Sequence, residues 1–195
     1  MTTPTSNRTR RFSLPDLGDD GVDEAIEAFL RGPEDPRGQA SRRDWTRQRA
    51  NHMAPLWSPA AWMEALVRES DRSLRYGRPA AVLIVKGQPL TATAEAQEWL
   101  GRVAAPIAHA VRRGVRETDL ATETGQATFQ VLLPETTERE AIRAAERMVA
   151  DCEIWLRATD APIRVISAVA GTAPGIMLEG TLARAQEEIR SARLV

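Results

Sequence analysis

One cysteine, one tyrosine, two histidines and a single lysine stand in this chain of 195 residues. The lone thiol, Cys152, excludes an internal disulfide framework and a cysteine-rich zinc site. Two imidazoles, His52 and His109, are too few for a histidine metal cage. No apolar run approaches the ~18–20 residues that cross a bilayer, and no charged-then-apolar leader opens the sequence. Membrane insertion and secretion are therefore not expected, and a cytoplasmic location is. Charge of one sign is also missing: 26 basic residues face 27 acidic ones, for a net −1. A balance of that kind exerts no overall pull on nucleic acid or an anionic lipid surface.

What the chain does have is arginine. Only Lys86 breaks an otherwise all-arginine set of cations, and the planar, forked guanidinium suits phosphates and guanine edges. With 43% apolar and 27% charged residues, the composition is that of one globular domain with a tail. Residues 1–18 read as a flexible arm carrying Arg8, Arg10 and Arg11. From residue 19 to 31 the pattern predicts a short amphipathic helix. Asp19 or Asp20 caps it, Val22, Ile26, Phe29 and Leu30 share a face, and Gly32-Pro33 stops it. Two or three turns are marginal alone in water, so this helix is expected to dock, either on its own domain or on a protein partner. Residues 1–56 are thus expected to form an arm, and 57–195 the domain.

Past Trp57 the periodicity sharpens. Ser58-Pro59 opens a helix to about Tyr76, with Trp62, Leu66 and Leu74 along it and Gly77 ending it. Ala80–Val85 is an unbroken apolar run, as expected of a strand covered on both faces. A helix over Ala94–Arg113 carries Trp99, Val103, Ile107 and Val111 at spacings of four. Next comes a hairpin: Asp119–Thr122, a turn at Glu123–Gln126, and Thr128–Leu133. Thr137 and Glu140 form a capping-box pair ahead of a helix with Ile142, Ala145, Val149, Cys152 and Leu156 on one stripe. Ile163–Ala170 reads as a strand and Leu178–Arg193 as a closing helix. The order α-β-α-β-β-α-β-α predicts an α+β fold, a central, mostly antiparallel sheet flanked by helices.

That order, together with the stretch Arg116-Glu117-Thr118-Asp119-Leu120-Ala121-Thr122-Glu123-Thr124-Gly125-Gln126-Ala127-Thr128-Phe129, resembles the GGDEF (diguanylate cyclase) family. Gly125 and Phe129 stand at the first and last places of the family's pentapeptide. Val103-Ala104, Leu132-Leu133-Pro134, Ala145-Glu146-Arg147, Ser167 and Ala183-Arg184-Ala185 also match. The resemblance spans about residues 57–193 and implies the nucleotidyl-cyclase-like sheet.

Its departures carry as much as its matches. Where the family has acids and a second glycine at the hairpin, this chain has Gln126, Ala127 and Thr128. The metal-binding Asp-x-Asp at the end of the first strand is replaced by Val85-Lys86-Gly87-Gln88. The guanine-recognition elements are missing from the shortened stretch between Gln88 and Trp99. An amide, a methyl and a hydroxyl cannot supply the carboxylate charge that a divalent cation needs. The resemblance therefore implies a degenerate, non-catalytic domain with no magnesium and no cofactor.

A second family site, the inhibitory site for cyclic di-GMP, is matched. Arg116 and Asp119 lie nine and six residues before Gly125, Arg147 matches the distal arginine, and Arg143 lies one turn before it. The chemistry suits the ligand: an Arg fork meets guanine O6 and N7, and an ionised carboxylate meets the N1 and N2 donors. The resemblance thus implies a cyclic di-GMP receptor using Arg116, Asp119, Arg143 and Arg147, signalling through a protein partner or a homodimer. The alternative is a scaffold that kept the fold and lost its ligands, with Arg116 and Asp119 no more than a surface ion pair.

Overall fold

The computed structural model describes residues 54–173 and 175–192. Ser58 and Pro59 start α1 as the sequence predicts: Pro59 fills a position whose N–H would go unused, and the Ser58 hydroxyl accepts from the Ala61 N–H. Helix α1 spans Pro59–Tyr76 and ends at Gly77 in the left-handed region, φ 63°. Strand β2 follows at Ala80–Pro89, then α2 at Ala94–Gly114, β3 at Leu120–Gly125 and β4 at Thr128–Pro134. Helix α3 covers Glu138–Thr159, β5 Ile163–Gly171 and α4 Leu178–Ser191. Ahead of them all is a two-residue strand, β1 (Leu56–Trp57), which the sequence did not suggest. It is too short for any periodicity and exists because it pairs with β3.

The sheet order is β1-β3-β4-β2-β5, with one parallel pair, β1–β3. The other three pairings are antiparallel, so the fold is the α+β arrangement expected. Central β2 is paired on both sides, and its alternate residues serve two cores. Ala81, Leu83 and Val85 face α2 and α3, meeting Val103, Ile107, Val111 and Met148. Ala80, Val82 and Ile84 face α1 and α4, meeting Trp62, Leu66, Leu182 and Ile189. That double burial is why the run is unbroken, and each large side chain so buried contributes about 1.5–3 kcal/mol. The Trp62 indole also donates to the Leu120 carbonyl at 2.9 Å, fixing α1 across β3.

Two local expectations are corrected. The hairpin turn is Gln126–Ala127, not Glu123–Gln126: β3 continues to Gly125, and a bulge between Glu123 and Gly125 absorbs the extra residue. Ile142 is not on the core stripe of α3 but 42% exposed; Ala141, Ala144, Ala145 and Met148 face inward instead. Gly114 makes room for that inward face: an added Cβ there would stand 2.7 Å from the buried Met148 side chain. In α1, Leu74 is 48% exposed. The inward residue of that turn is Ser73, whose hydroxyl donates to the Arg78 carbonyl at 2.6 Å. The predicted helix over 19–31, with Val22, Ile26, Phe29 and Leu30, lies outside the described residues, as does His52.

Candidate functional site

Two places bear on function, and the hairpin turn is the first. Strand β2 carries Lys86 opposite Thr128 on one side and Ile166 on the other. One residue on, the Gly87 N–H donates to the Ala127 carbonyl at 2.8 Å. This bond draws the turn down onto α2. Ala127 is buried, and its methyl lies 3.1 Å from where a Cβ on Gly87 would stand, with Ile107 Cδ1 at 3.2 Å and Val103 Cγ2 at 3.4 Å. The turn residue in the middle of the pentapeptide is therefore an apolar plug, held at φ 52°. Gln126 reaches the same helix, its Nε2 lying 3.5 Å from a Cβ built on Gly101. Among the described residues no three His, Cys, Asp or Glu side chains gather as a metal site would require.

The second place is the exit of α2. There the Arg116 N–H donates to Asp119 Oδ2 at 2.7 Å, and the Asp119 N–H returns to the Arg116 carbonyl at 3.1 Å. Asp119 is only 6% exposed, and its Oδ1 is buried without a hydrogen-bond partner. Burial pushes its carboxyl above the usual carboxylate range, against the Arg116 N–H bond and the Arg116 charge. The contact joining these two residues is thus made by backbone, while the Arg116 side chain is exposed.

Helix α3 runs antiparallel to α2 beside this turn. Burial first, then Arg113 and Arg112, push the His109 imidazole down while Asp151 opposes them; Gly114 faces Met148. The Glu140 carboxyl is pulled down by its bonds to the Thr137 hydroxyl and N–H, and further by the Arg116 charge. Glu140, Arg143 and Arg147 follow at spacings of three and four, so they share a helix face, and both arginines are exposed. The Arg116 charge thus reaches Glu140, Arg143 and Arg147 follow on the exposed side of α3, and Asp119 is set below the surface. No hydrogen bond or ion pair among the described residues joins Arg143 or Arg147 to Asp119. Sequence reasoning assigned Glu140 only to the helix cap. Its place among the arginines was signalled by the same spacing that related Arg143 to Arg147.

The sheet order, the helices on its two faces and the hairpin are those of GGDEF diguanylate cyclase domains. SiaD of Pseudomonas aeruginosa, solved in complex with its activator SiaC, superimposes with a TM-score of 0.58 at 23% identity over 77% of this chain. The match covers 61% of SiaD, so this chain spans less than two thirds of that protein. The GGDEF domain of YfiN (TpbB) from the same organism gives 0.58 at 22% identity, over 72% of this chain and 92% of that one. The coiled coil and GGDEF domain of DgcB from Caulobacter crescentus, in complex with c-di-GMP, gives 0.55 at 14%, over 78% and 86%. No protein-family model matches the sequence, and no curated protein matches it. The chain thus has the GGDEF fold, shared at identities where fold rather than activity is what is held in common.

Proposed function

We propose that this chain is a catalytically inactive GGDEF-fold domain that binds cyclic di-GMP through Arg116, Asp119, Arg143 and Arg147 and signals through a protein partner or a second copy. One observation carries the reading: exposed Arg116 opens a turn whose buried carboxylate keeps one oxygen unpaired, and its charge is felt by Glu140, on the helix that also exposes Arg143 and Arg147. A cyclic dinucleotide offers two phosphates for the arginines and guanine N–H groups for that oxygen. Support for the inactive part comes from the hairpin, where a buried methyl and Lys86 occupy places at which metal-held catalysis would need carboxylates. DgcB's complex with c-di-GMP makes this ligand the first to try.

A ligand-free scaffold is the second reading, favoured by the depth of Asp119 and by the engagement of its Oδ2 with the Arg116 N–H. Titration calorimetry with cyclic di-GMP separates them. Binding that weakens tenfold or more, at least about 1.4 kcal/mol, in Arg116→Ala and Arg147→Ala supports the receptor. No heat from the wild type at tens of micromolar ligand supports the scaffold. Product formed from GTP and magnesium would overturn the non-catalytic reading.

A further inference from the structure

Strand β5 closes one side of the sheet, and no described strand pairs with its outer edge. Its register with β2 runs without a shift from Ile163 opposite Pro89 to Gly171 opposite Ala81. Just past those ends, the Leu90 N–H donates to the Pro162 carbonyl at 2.9 Å and the Thr172 N–H to the Ala80 carbonyl at 2.8 Å. Backbone groups alternate in direction along an antiparallel strand. The even-numbered residues of β5 therefore turn their N–H and carbonyl to β2, and the odd-numbered ones turn theirs outward. Gly171 is already satisfied there: its N–H donates to Glu138 Oε2 at 2.8 Å, and its carbonyl accepts from Arg184 at 3.1 Å. The outward groups of Ile163, Val165, Ser167 and Val169 have no such partner among the described residues. Proteins blunt an open edge with charge, proline or a bulge. The opposite side of this sheet is blunted, since β3 is bulged between Glu123 and Gly125, exposes Glu123 and is covered over two residues by β1. Strand β5 has none of these devices. It holds no proline, lysine or acid, and its one cation, Arg164, is drawn aside to Gln88 Oε1 and the Ala192 carbonyl, both at 3.3 Å.

We propose that this edge pairs with the same edge of a second copy of the chain, antiparallel about a two-fold axis at Ile166. That register uses every outward group left over: Ile163 meets the second copy's Val169, and Val165 meets its Ser167, each pair exchanging both hydrogen bonds. The side chains agree with it, because Ile163 against Val169 is a β-branched pair of the kind that stabilises a ladder. The charges agree as well. Arg164 stands opposite Ala168, so the two Arg164 residues lie four positions apart, roughly 14 Å at ~3.4 Å per residue, beyond the ~8 Å over which exposed charges act at physiological salt. A two-fold contact of this kind closes on itself, and the blunted β3 side stops further growth, which an open β5 edge on a lone chain would not. The interface gives a surface to the second copy named in the proposed function, and it is independent of nucleotide binding.

Analytical ultracentrifugation of the full chain, without nucleotide, tests this and is expected to show dimers at tens of micromolar. Ser167→Pro removes an outward N–H while leaving the bonds to β2 in place, and should weaken dimerisation at least tenfold with the far-ultraviolet circular dichroism unchanged. Ile166→Cys gives a second readout that keeps the edge intact. Side chains stand closest at a pair that exchanges no hydrogen bonds, so oxidation should link dimers at least tenfold faster than Ala183→Cys, an exposed position on α4. Buried Cys152 does not interfere. A monomer throughout that concentration range, a dimer indifferent to Ser167→Pro, or equal rates of cross-linking would each overturn the proposal. Slow hydrogen exchange at the Val165, Ser167 and Val169 amides of a monomer would show the edge covered from within the chain, and would overturn it too. Because no nucleotide is present, failure here leaves the cyclic di-GMP reading standing, and failure of that reading leaves this interface.

Discussion

Asp119 Oδ2 accepts the Arg116 N–H at 2.7 Å while the Asp119 N–H returns to the Arg116 carbonyl at 3.1 Å, so the two residues close a loop on each other at the end of α2. One carboxylate oxygen shapes the turn, and the other lies buried and unpaired. This divides the motif chemically. The aspartate is set by its neighbour's backbone, whereas the arginine's guanidinium is free of that role and faces outward.

A pH dependence follows. Burial raises the Asp119 carboxyl above 3.8, and the Arg116 N–H and charge only partly oppose it. The folded chain therefore holds that proton more tightly than the unfolded chain. Its stabilising effect is complete below the unfolded value and is lost as pH rises through the raised folded value. Asp119→Asn retains an acceptor for the Arg116 N–H and does not titrate. Urea unfolding between about pH 4 and 7 should show the stability of Asp119→Asn, relative to the wild type, increasing with pH. A constant difference would mean that the carboxyl is not perturbed.

Placing an acid at the middle of the hairpin turn should destabilise the protein. Ala127 is fully buried beside Gly87, in the core cluster that holds Val103 and Ile107, so Ala127→Asp puts a carboxyl into apolar surroundings. The expected loss is at least about 2 kcal/mol in chemical denaturation. An unchanged midpoint would show that the turn swings outward freely.

Asp160 ends α3 with φ 49° and its N–H on the Leu156 carbonyl. A left-handed non-glycine residue with a carboxylate at the negative end of a helix is doubly unfavourable. Asp160→Gly should stabilise the domain by about 1 kcal/mol, seen as a melting temperature higher by a few degrees. A lower melting point would mean that the aspartate makes a compensating contact.

The Cys152 thiol is buried in the core under α3 and pushed up to about 12, by desolvation first and then by Asp151 and Glu153. It should resist a thiol reagent at pH 8 in the native protein and react promptly in denaturant. Rapid native labelling would place it at the surface.

Much of this architecture could be read before any coordinates. Helix starts at Ser58, Thr93 and Thr137 rest on side chains accepting from amides three residues on, and the AAVLIV run announces a strand between two layers. Such features arise from interactions within a few residues, which sequence records directly. The spacings of Arg116 to Asp119 and of Arg143 to Arg147, and the residue types at Gln126, Ala127 and Thr128, stand in the sequence itself. Which side of α3 faces inward is a different matter: Ile142 is exposed and Met148 is buried against Gly114, a residue far away in sequence. Strand order, the pairing of β1, the Ala127 plug under Gly87, the burial of Asp119 and the nearness of Glu140 to Arg116 depend likewise on contacts between distant segments. Periodicity says that a helix has an apolar side; what that side meets, and which polar groups lose water when it does, is settled when the layers close.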